Sequence, residues 1–90
     1  MKRFLVLTLR TPAFDPAVIA PHYAHLDALR ERGALELWGP FGDRSGGAYV
    51  VRAASLEAAQ ALAFADPLHT SGASEVSVRE WILSAAESPA

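Results

Sequence analysis

The sequence predicts an α+β domain of the ferredoxin-like kind, with the element order β-α-β-β-α-β and a four-stranded antiparallel sheet. Four short segments have the apolar or alternating pattern of strands, and two helical segments separate the first strand from the second and the third from the fourth. Ninety residues suit a single domain. Right-handed crossovers then place both helices on one face of the sheet.

The first strand is predicted at Arg3 to Leu9 and is apolar on both of its faces. Successive side chains of a strand point to opposite faces, so Phe4 and Val6 share one face and the leucines share the other. A strand of this kind is covered on both sides. Because the two helices cover only one face, the sequence predicts a homodimer packed sheet to sheet, with assembly beyond the dimer left open.

The first helix is predicted to begin at Asp15 and Pro16, an N-cap followed by a first-turn proline. It runs to about Arg32 and ends at Gly33. Pro21 interrupts this segment, so either the first turn is separate or the helix begins near Pro21.

The periodicity of this helix places a histidine in its apolar stripe. At about 100° per residue, one side carries Val18, Ile19, His22, Leu26 and Leu29. A histidine that faces the sheet needs a hydrogen-bond partner, since burying a polar group unpaired costs about 1–3 kcal/mol. His25 lies at the edge of the stripe.

The second strand is predicted at Ala34 to Phe41, with its leucines on one face and Glu36 and Trp38 on the other. Gly39-Pro40 bends or ends this strand. The polar, glycine-rich segment 42–47 is typical of a hairpin connection to the third strand.

The segment from Gly46 to Pro67 contains the third strand, the second helix and an unusual carboxylate. Residues 49–51 are aromatic or β-branched, and Ser55 can cap an alanine-rich helix. Asp66-Pro67 ends that helix, because proline cannot continue it. Asp66 is thus expected at the negative end of a helix dipole, where a carboxylate destabilises the helix. A residue in an unfavourable position suggests a functional role. Residues 68–72 are predicted as a loop.

The last strand is predicted at Glu75 to Leu83, with Val76, Val78 and Ile82 on one face. Residues 1–84 are therefore expected to form one domain. Residues 85–90 are expected to form a short, frayed tail.

Composition excludes several classes of function. The formal net charge is −2, without the basic surplus of nucleic-acid-binding proteins. RNA-recognition domains share the same element order, but residues 47–51 match only part of the aromatic motif in their third strand, so no nucleic-acid partner is predicted.

No apolar run reaches the length of a membrane span, and no signal-peptide cleavage pattern follows the first apolar run, so we expect no membrane partner and a cytoplasmic location. The chain has no cysteine and no phosphate-binding glycine motif, and no cofactor is predicted.

Histidines and one aspartate are the candidate chemical groups. His22 and Asp66 can meet if both helices lie on one sheet face, and a carboxylate on one imidazole nitrogen leaves the other nitrogen free as a base. A structural alternative has His22 bonded to a main-chain carbonyl and Asp66 as a turn residue. A third interpretation adds His25 and His69 to form a metal site, since His22 and His25 have a spacing that fits one helix face.

Other residues are candidates for the walls of a pocket. Trp38 and Trp81 are interpreted as core or dimer-interface aromatics, or alternatively as walls for a flat substrate. Ser71 and Ser74 are candidate nucleophiles only through their proximity to the predicted loop, because no G-x-S-x-G motif is present.

An ordered set of motifs extends over nearly the whole chain. His22 to Phe41 reads H-Y-A-H-L-D-A-L-R-E-R-G-A-L-E-L-W-G-P-F, Ser55 to Ala61 reads S-L-E-A-A-Q-A, and Asp66-Pro67 follows the second helix. In this order the motifs resemble the YCII-related (YciI-like) family. The resemblance implies a dimeric α/β barrel of the ferredoxin-like kind with a His-Asp active site. The histidine of the family is matched by His22, from its distance to Gly33, and the aspartate by Asp66.

Together these features predict a small enzyme of the lyase or isomerase type, in which His22, oriented by Asp66, acts as general acid and base on a small organic molecule. Some YCII-like proteins are similar to lyases that act on ring compounds. The residues expected to contact the substrate are His25, Trp38, Gly39, Pro40, His69 and Ser71. The alternative is a non-catalytic ligand-binding or assembly domain that keeps the His-Asp pair as a structural bond.

Overall fold

The computed structural model describes residues 1–86 and contains the predicted elements. The strands are β1 (Lys2–Arg10), β2 (Leu35–Pro40), β3 (Gly46–Ala53) and β4 (Ser74–Glu80), and the helices are α1 (Ile19–Glu31), α2 (Leu56–Phe64) and the short α3 (Pro67–Thr70). The strand order is β2-β3-β1-β4 and all neighbours are antiparallel, which confirms the ferredoxin-like fold. The predicted C-terminal tail extends past the described residues.

Side-chain caps determine where the helices begin. Asp15 accepts a hydrogen bond from the Ala17 amide at the start of a 3-10 turn, Pro16–Val18, that leads directly into α1. The first turn is therefore separate, as one of the two predicted alternatives had it. Ser55 caps α2 by accepting from the Ala58 amide, as predicted.

The core lies between the sheet and the helices. Alternate residues of β1 and β3 point toward α1 and α2, and the buried cluster includes Phe4, Val6, Leu26, Leu29, Tyr49, Val51, Ala59 and Ala63. The alanines of α2 let this helix approach the sheet closely. Burying each of the larger apolar side chains contributes about 1.5–3 kcal/mol.

A β-bulge in β2 corrects the predicted orientation of one leucine. The prediction placed Leu35 and Leu37 on the same face, but the register shifts between them, so that Leu35 lies opposite Val51 and Leu37 opposite Val50. One extra residue in a strand turns the following side chains to the other face. Leu35 is buried, whereas Leu37 is 62% exposed on the face without helices.

The last strand is shorter than predicted. Its pairing with β1 stops at Glu80, which lies opposite Phe4, and Ile82 is 80% exposed. Because β1 begins at Lys2, almost no partner residues remain beyond this point, although the Trp81 amide still donates to the Arg3 carbonyl at 2.9 Å.

The sheet face without helices carries an open apolar groove of about 380 Å³. Its walls include Leu5, Leu7, Leu37, Trp38, Phe41, Val50 and Trp81. The homodimer that would cover this face stays a prediction. None of the helices in residues 1–86 is long and apolar enough to cross a membrane.

Candidate active site

Asp66 lies at the junction of two helices, and its setting corrects the prediction. Residues 67–70 form α3 rather than a loop, and the Asp66 side chain caps this helix by accepting from the Leu68 amide at 2.9 Å. The carboxylate therefore faces the positive end of α3 as well as following α2, so it is well placed for stability. An N-cap followed by a proline is the same signal that begins the 3-10 turn at Asp15.

His22 and Asp66, the pair predicted from the sequence, are in direct hydrogen-bond contact. Nδ1 of His22 lies 2.9 Å from Oδ1 and 2.8 Å from Oδ2 of Asp66. The Asp66 side chain is completely buried, and 14% of the His22 side chain is exposed. Because an ionised carboxylate only accepts hydrogen bonds, Nδ1 carries a proton, and Nε2 carries the lone pair of the neutral ring.

Tyr49 completes the surroundings of the carboxylate. Its hydroxyl donates to Oδ2 of Asp66 at 3.0 Å, and the side chain is buried on the helix-facing side of β3. Burial raises the pKa of Tyr49 far above its usual value, and the nearby charge and hydrogen bond of Asp66 add to this effect. Tyr49 therefore stays protonated and remains a donor. Asp66 is thus held by an imidazole, a phenol and a main-chain amide.

A small cleft of about 90 Å³ lies beside this pair. His22 and Tyr49 line it together with Thr8, Arg10, Phe14, Ile19, Tyr23, Gly39, Pro40, Gly46, Gly47, Ala48, Leu68 and Ser74. Since Nδ1 of His22 is bonded to Asp66, Nε2 is the ring nitrogen left to act on a ligand in the cleft. The arrangement can remove a proton from a bound molecule and return it.

Two glycines line the cleft where β1, β2 and β3 come close together. Gly46 has φ +153°, and a Cβ placed on it would lie 1.8 Å from the Thr8 carbonyl oxygen. A Cβ on Gly47 would lie 2.7 Å from the Gly39 carbonyl oxygen. Neither position can hold a side chain without moving a strand, so the cleft depends on both glycines.

The other two histidines are bonded to the main chain. Nε2 of His25 donates to the Leu62 carbonyl at 2.9 Å, and Nδ1 of His69 donates to the Phe64 carbonyl at 3.1 Å. The His69 ring also packs against Phe64, with 4.6 Å between ring centroids. Neither histidine lines the cleft. Across residues 1–86, no three His, Asp or Glu side chains are grouped so as to hold a metal ion.

The remaining predicted substrate contacts are divided between different surfaces. Gly39 and Pro40 line the cleft beside His22. Trp38 lines the groove of the open sheet face instead. Ser71 is exposed, and its hydroxyl donates to the Pro67 carbonyl at 2.6 Å in the last turn of α3. Their roles as substrate contacts stay predictions.

Sequence reasoning missed Tyr49 and Arg10 as site residues. Strand β3 is apolar on both faces, so periodicity did not show which side chains point toward the helices. One signal for Tyr49 is present in the sequence. A buried tyrosine hydroxyl needs a hydrogen-bond partner, and Asp66 is a predicted site residue that can accept this bond. Arg10 ends β1, and nothing in its local sequence distinguishes it from a solvated charge.

The chain is therefore an α+β domain of the ferredoxin-like fold, with a buried His-Asp pair beside a small cleft. The chain matches the model of the YCII-related domain over residues 3–82. It belongs to the YCII-related family, which confirms the resemblance noted from its motifs.

Two proteins are similar to this chain, one in sequence and one in fold. The uncharacterized protein YjpA of Bacillus subtilis (strain 168) is 47% identical over 83 residues, which span 92% of this chain and 98% of that protein. A solved structure of 5-chloro-2-hydroxyhydroquinone dehydrochlorinase (TftG) from Burkholderia phenoliruptrix AC1100, in complex with 2,5-dihydroxybenzoquinone, has a TM-score of 0.68 and 21% identity. That similarity covers 88% of this chain and 92% of the solved one, and it shows the shared fold.

Proposed function

We propose that this protein is a small-molecule enzyme of the lyase or isomerase type, in which His22 is the general acid and base and Asp66 orients it. The observation that carries the proposal is the placement of His22. One ring nitrogen is bonded to a completely buried carboxylate, while the ring lines a cleft. A carboxylate in this position fixes the tautomer and stabilises the imidazolium that forms during proton transfer.

The chemistry follows from the groups present. Nε2 of His22 takes a proton from a carbon next to a carbonyl, and the electrons of that C–H bond form a C=C bond. In an isomerisation, the imidazolium returns the proton to another atom of the same molecule. In an elimination, the new C=C bond forms as the bond to a leaving group on the neighbouring carbon breaks, the leaving group departs as an anion, and the imidazolium gives its proton to water. Both reactions need only a proton carrier, which typically accelerates the reaction by about 10²–10⁴-fold.

The similar solved protein supports the elimination variant. It is named a dehydrochlorinase of a chlorinated hydroxyhydroquinone and was captured with a dihydroxybenzoquinone. We therefore propose small oxygenated ring compounds as the first substrates to test.

The test measures chloride release from 5-chloro-2-hydroxyhydroquinone and solvent deuterium exchange into enolisable ring ketones. His22→Asn keeps a donor near Asp66 but removes the base, so activity is expected to fall by about 10²-fold or more. Asp27→Asn is the control, because it alters an exposed carboxylate of the same helix. Activity that survives His22→Asn, or a wild type that accelerates neither reaction, contradicts the proposal.

A second candidate, a non-catalytic binding or assembly domain, is favoured by the bonds of Asp66 to Leu68 and Tyr49. These bonds give the carboxylate a structural role whether or not catalysis occurs. For such a domain, Asp66→Asn lowers the free energy of unfolding, and neither the wild type nor the variant turns over a substrate. For the enzyme, turnover falls under conditions in which the variant remains folded.

A further inference from the structure

We propose that the cleft binds a small, planar organic anion and that Arg10 recognises its negative charge. This proposal names the ligand class of the site proposed above and rests on it. The ligand is an enolate, a phenolate or a carboxylate with no more than one ring.

Arg10 is held in position by an aromatic ring. It is the last residue of β1, and its guanidinium carbon lies 4.1 Å from the centroid of the Phe14 ring. Both residues line the cleft. Stacking on an aromatic face orients the guanidinium plane and leaves its N–H groups at the edge free to bind, so the group is prepared for a planar, oxygen-bearing anion.

The charge of the cleft is opposite to that of the chain. The formal net charge is −2, yet Arg10 is the one lysine, arginine, aspartate or glutamate among the residues that line the cleft. The carboxylate of Asp66 lies behind His22 and is already bonded to His22, Tyr49 and Leu68. A negative ligand group therefore meets a cation without facing an unpaired carboxylate.

The cation of Arg10 is not used to hold the fold together. Three other cations of the sheet are paired, since Arg3 and Arg52 share Glu36 and Lys2 pairs with Glu80. Within residues 1–86, Arg10 takes part in no salt bridge. Its charge is therefore available to a ligand.

The size and walls of the cleft limit the ligand further. Its volume of about 90 Å³ is smaller than the ~150 Å³ of a cavity known to accept benzene. The cleft therefore has room for no more than one ring, and not for all of it. Apolar walls from Ile19, Pro40 and Leu68 suit the faces of a flat ring.

An anion at Arg10 is also chemically compatible with the proton transfer assigned to His22. Removing a proton next to a carbonyl places negative charge on the carbonyl oxygen. A cation placed at that oxygen stabilises the charge as it develops. Arg10 is therefore expected to affect both the affinity for an anionic ligand and the rate of proton removal.

The test measures dissociation constants by calorimetry for two matched pairs of compounds. The pairs are benzoate with benzamide, and the 2,5-dihydroxybenzoquinone anion with 2,5-dimethoxybenzoquinone. Wild type is expected to bind the anion of at least one pair about tenfold or more tightly than its neutral partner, so the ratio of the two dissociation constants is about ten or more. Arg10→Met is expected to bring this ratio close to one. Arg10→Lys keeps the charge but loses the planar fork, and it is expected to give an intermediate ratio.

Two further variants test whether the preference for the anion depends on Arg10 and not on another positive charge. Arg30→Met removes the same charge from an exposed position of α1 outside the cleft, and the ratio is expected to stay as in wild type. His22→Asn removes the other side chain of the cleft that can become cationic. A preference that disappears in His22→Asn but persists in Arg10→Met overturns the assignment to Arg10.

Equal affinity for anion and neutral partner, or no anion binding at millimolar concentration, also overturns the inference. The outcome is separate from that of the proposed function. Preferential anion binding without turnover contradicts the enzyme alone, whereas turnover with no anion preference contradicts the role of Arg10 alone.

Discussion

The hydroxyl of Tyr49 donates to Oδ2 of Asp66 at 3.0 Å inside the core. The same oxygen lies 2.8 Å from Nδ1 of His22, so the phenol and the imidazole share one acceptor. Each donor reduces the negative charge that the carboxylate offers to the other. Tyr49 therefore affects how strongly Asp66 holds the His22 ring through its hydrogen bond.

Tyr49→Phe is expected to strengthen the coupling between His22 and Asp66. With one donor fewer on Oδ2, the carboxylate accepts the Nδ1 hydrogen bond of His22 more strongly, so the ring nitrogen resonances of His22 are expected to move. NMR spectra of the assigned histidine rings in wild type and variant at one pH measure this shift. His25 and His69 are internal references, because their rings bond main-chain carbonyls. His22 ring nitrogen shifts equal to those of wild type contradict the coupling.

Tyr49 is also expected to make the fold sensitive to high pH. Its pKa is raised in the folded chain by burial and by Asp66, whereas in the unfolded chain a tyrosine has a pKa of about 10. Above pH 10 the unfolded state releases this proton and the folded state retains it. Stability then falls by about 1.4 kcal/mol per pH unit, while below pH 10 this group has no effect.

Urea unfolding at several pH values between 9 and about 11.5 measures this slope, with Tyr49→Phe as the reference. Subtracting the curve of the variant removes the contributions of other groups that titrate at high pH. Parallel curves for the two proteins would show that the Tyr49 phenol ionises equally in both states.

Gly46→Ala is expected to destabilise the fold severely. The new Cβ would meet the Thr8 carbonyl at 1.8 Å, and the backbone has φ +153°. Strain and overpacking together cost about 3 kcal/mol or more. Gly42→Ala is the matched control, since no atom lies within 4 Å of its Cβ position. Denaturant unfolding of both variants measures the difference, and similar free energies of unfolding for the two would disprove the close contact of β1 and β3.

The open sheet face is predicted to form the homodimer, and Leu37→Glu tests this prediction. Leu37 is 62% exposed and lines the apolar groove, so a carboxylate there would be buried unpaired in a sheet-to-sheet dimer. Light scattering coupled to size exclusion is expected to show a dimer for wild type and a monomer for the variant. Leu56→Glu is the control, because it changes an exposed leucine at the start of α2. A variant with the mass of the wild type contradicts the interface.

The order of the elements followed from the sequence because the signals are local. Strand alternation, the caps at Asp15 and Ser55, and the glycine after the first helix each depend on a few neighbouring residues. The position of His22 on the apolar stripe was also available, since helical periodicity needs only one element. Periodicity and the distance to Gly33 both select His22 over His25, which is consistent with the bond to Asp66.

Other features depended on contacts between distant residues. The bulge between Leu35 and Leu37 arises from the pairing of β2 with β3, which alternation within one strand does not reveal. The four residues of α3 are too few to show a helical period, although Asp66-Pro67 has the composition of a helix start. The placement of Arg10 against Phe14 requires the fold itself.

The cap of α3 has a spectroscopic consequence. The Leu68 amide donates to Oδ1 of Asp66, the carboxylate that also holds His22. Any change of charge in the pair therefore alters the strength of this amide hydrogen bond. The Leu68 amide proton is a native NMR sensor of the site, and its chemical shift would follow protonation or ligand binding at His22 without any label being attached to the cleft.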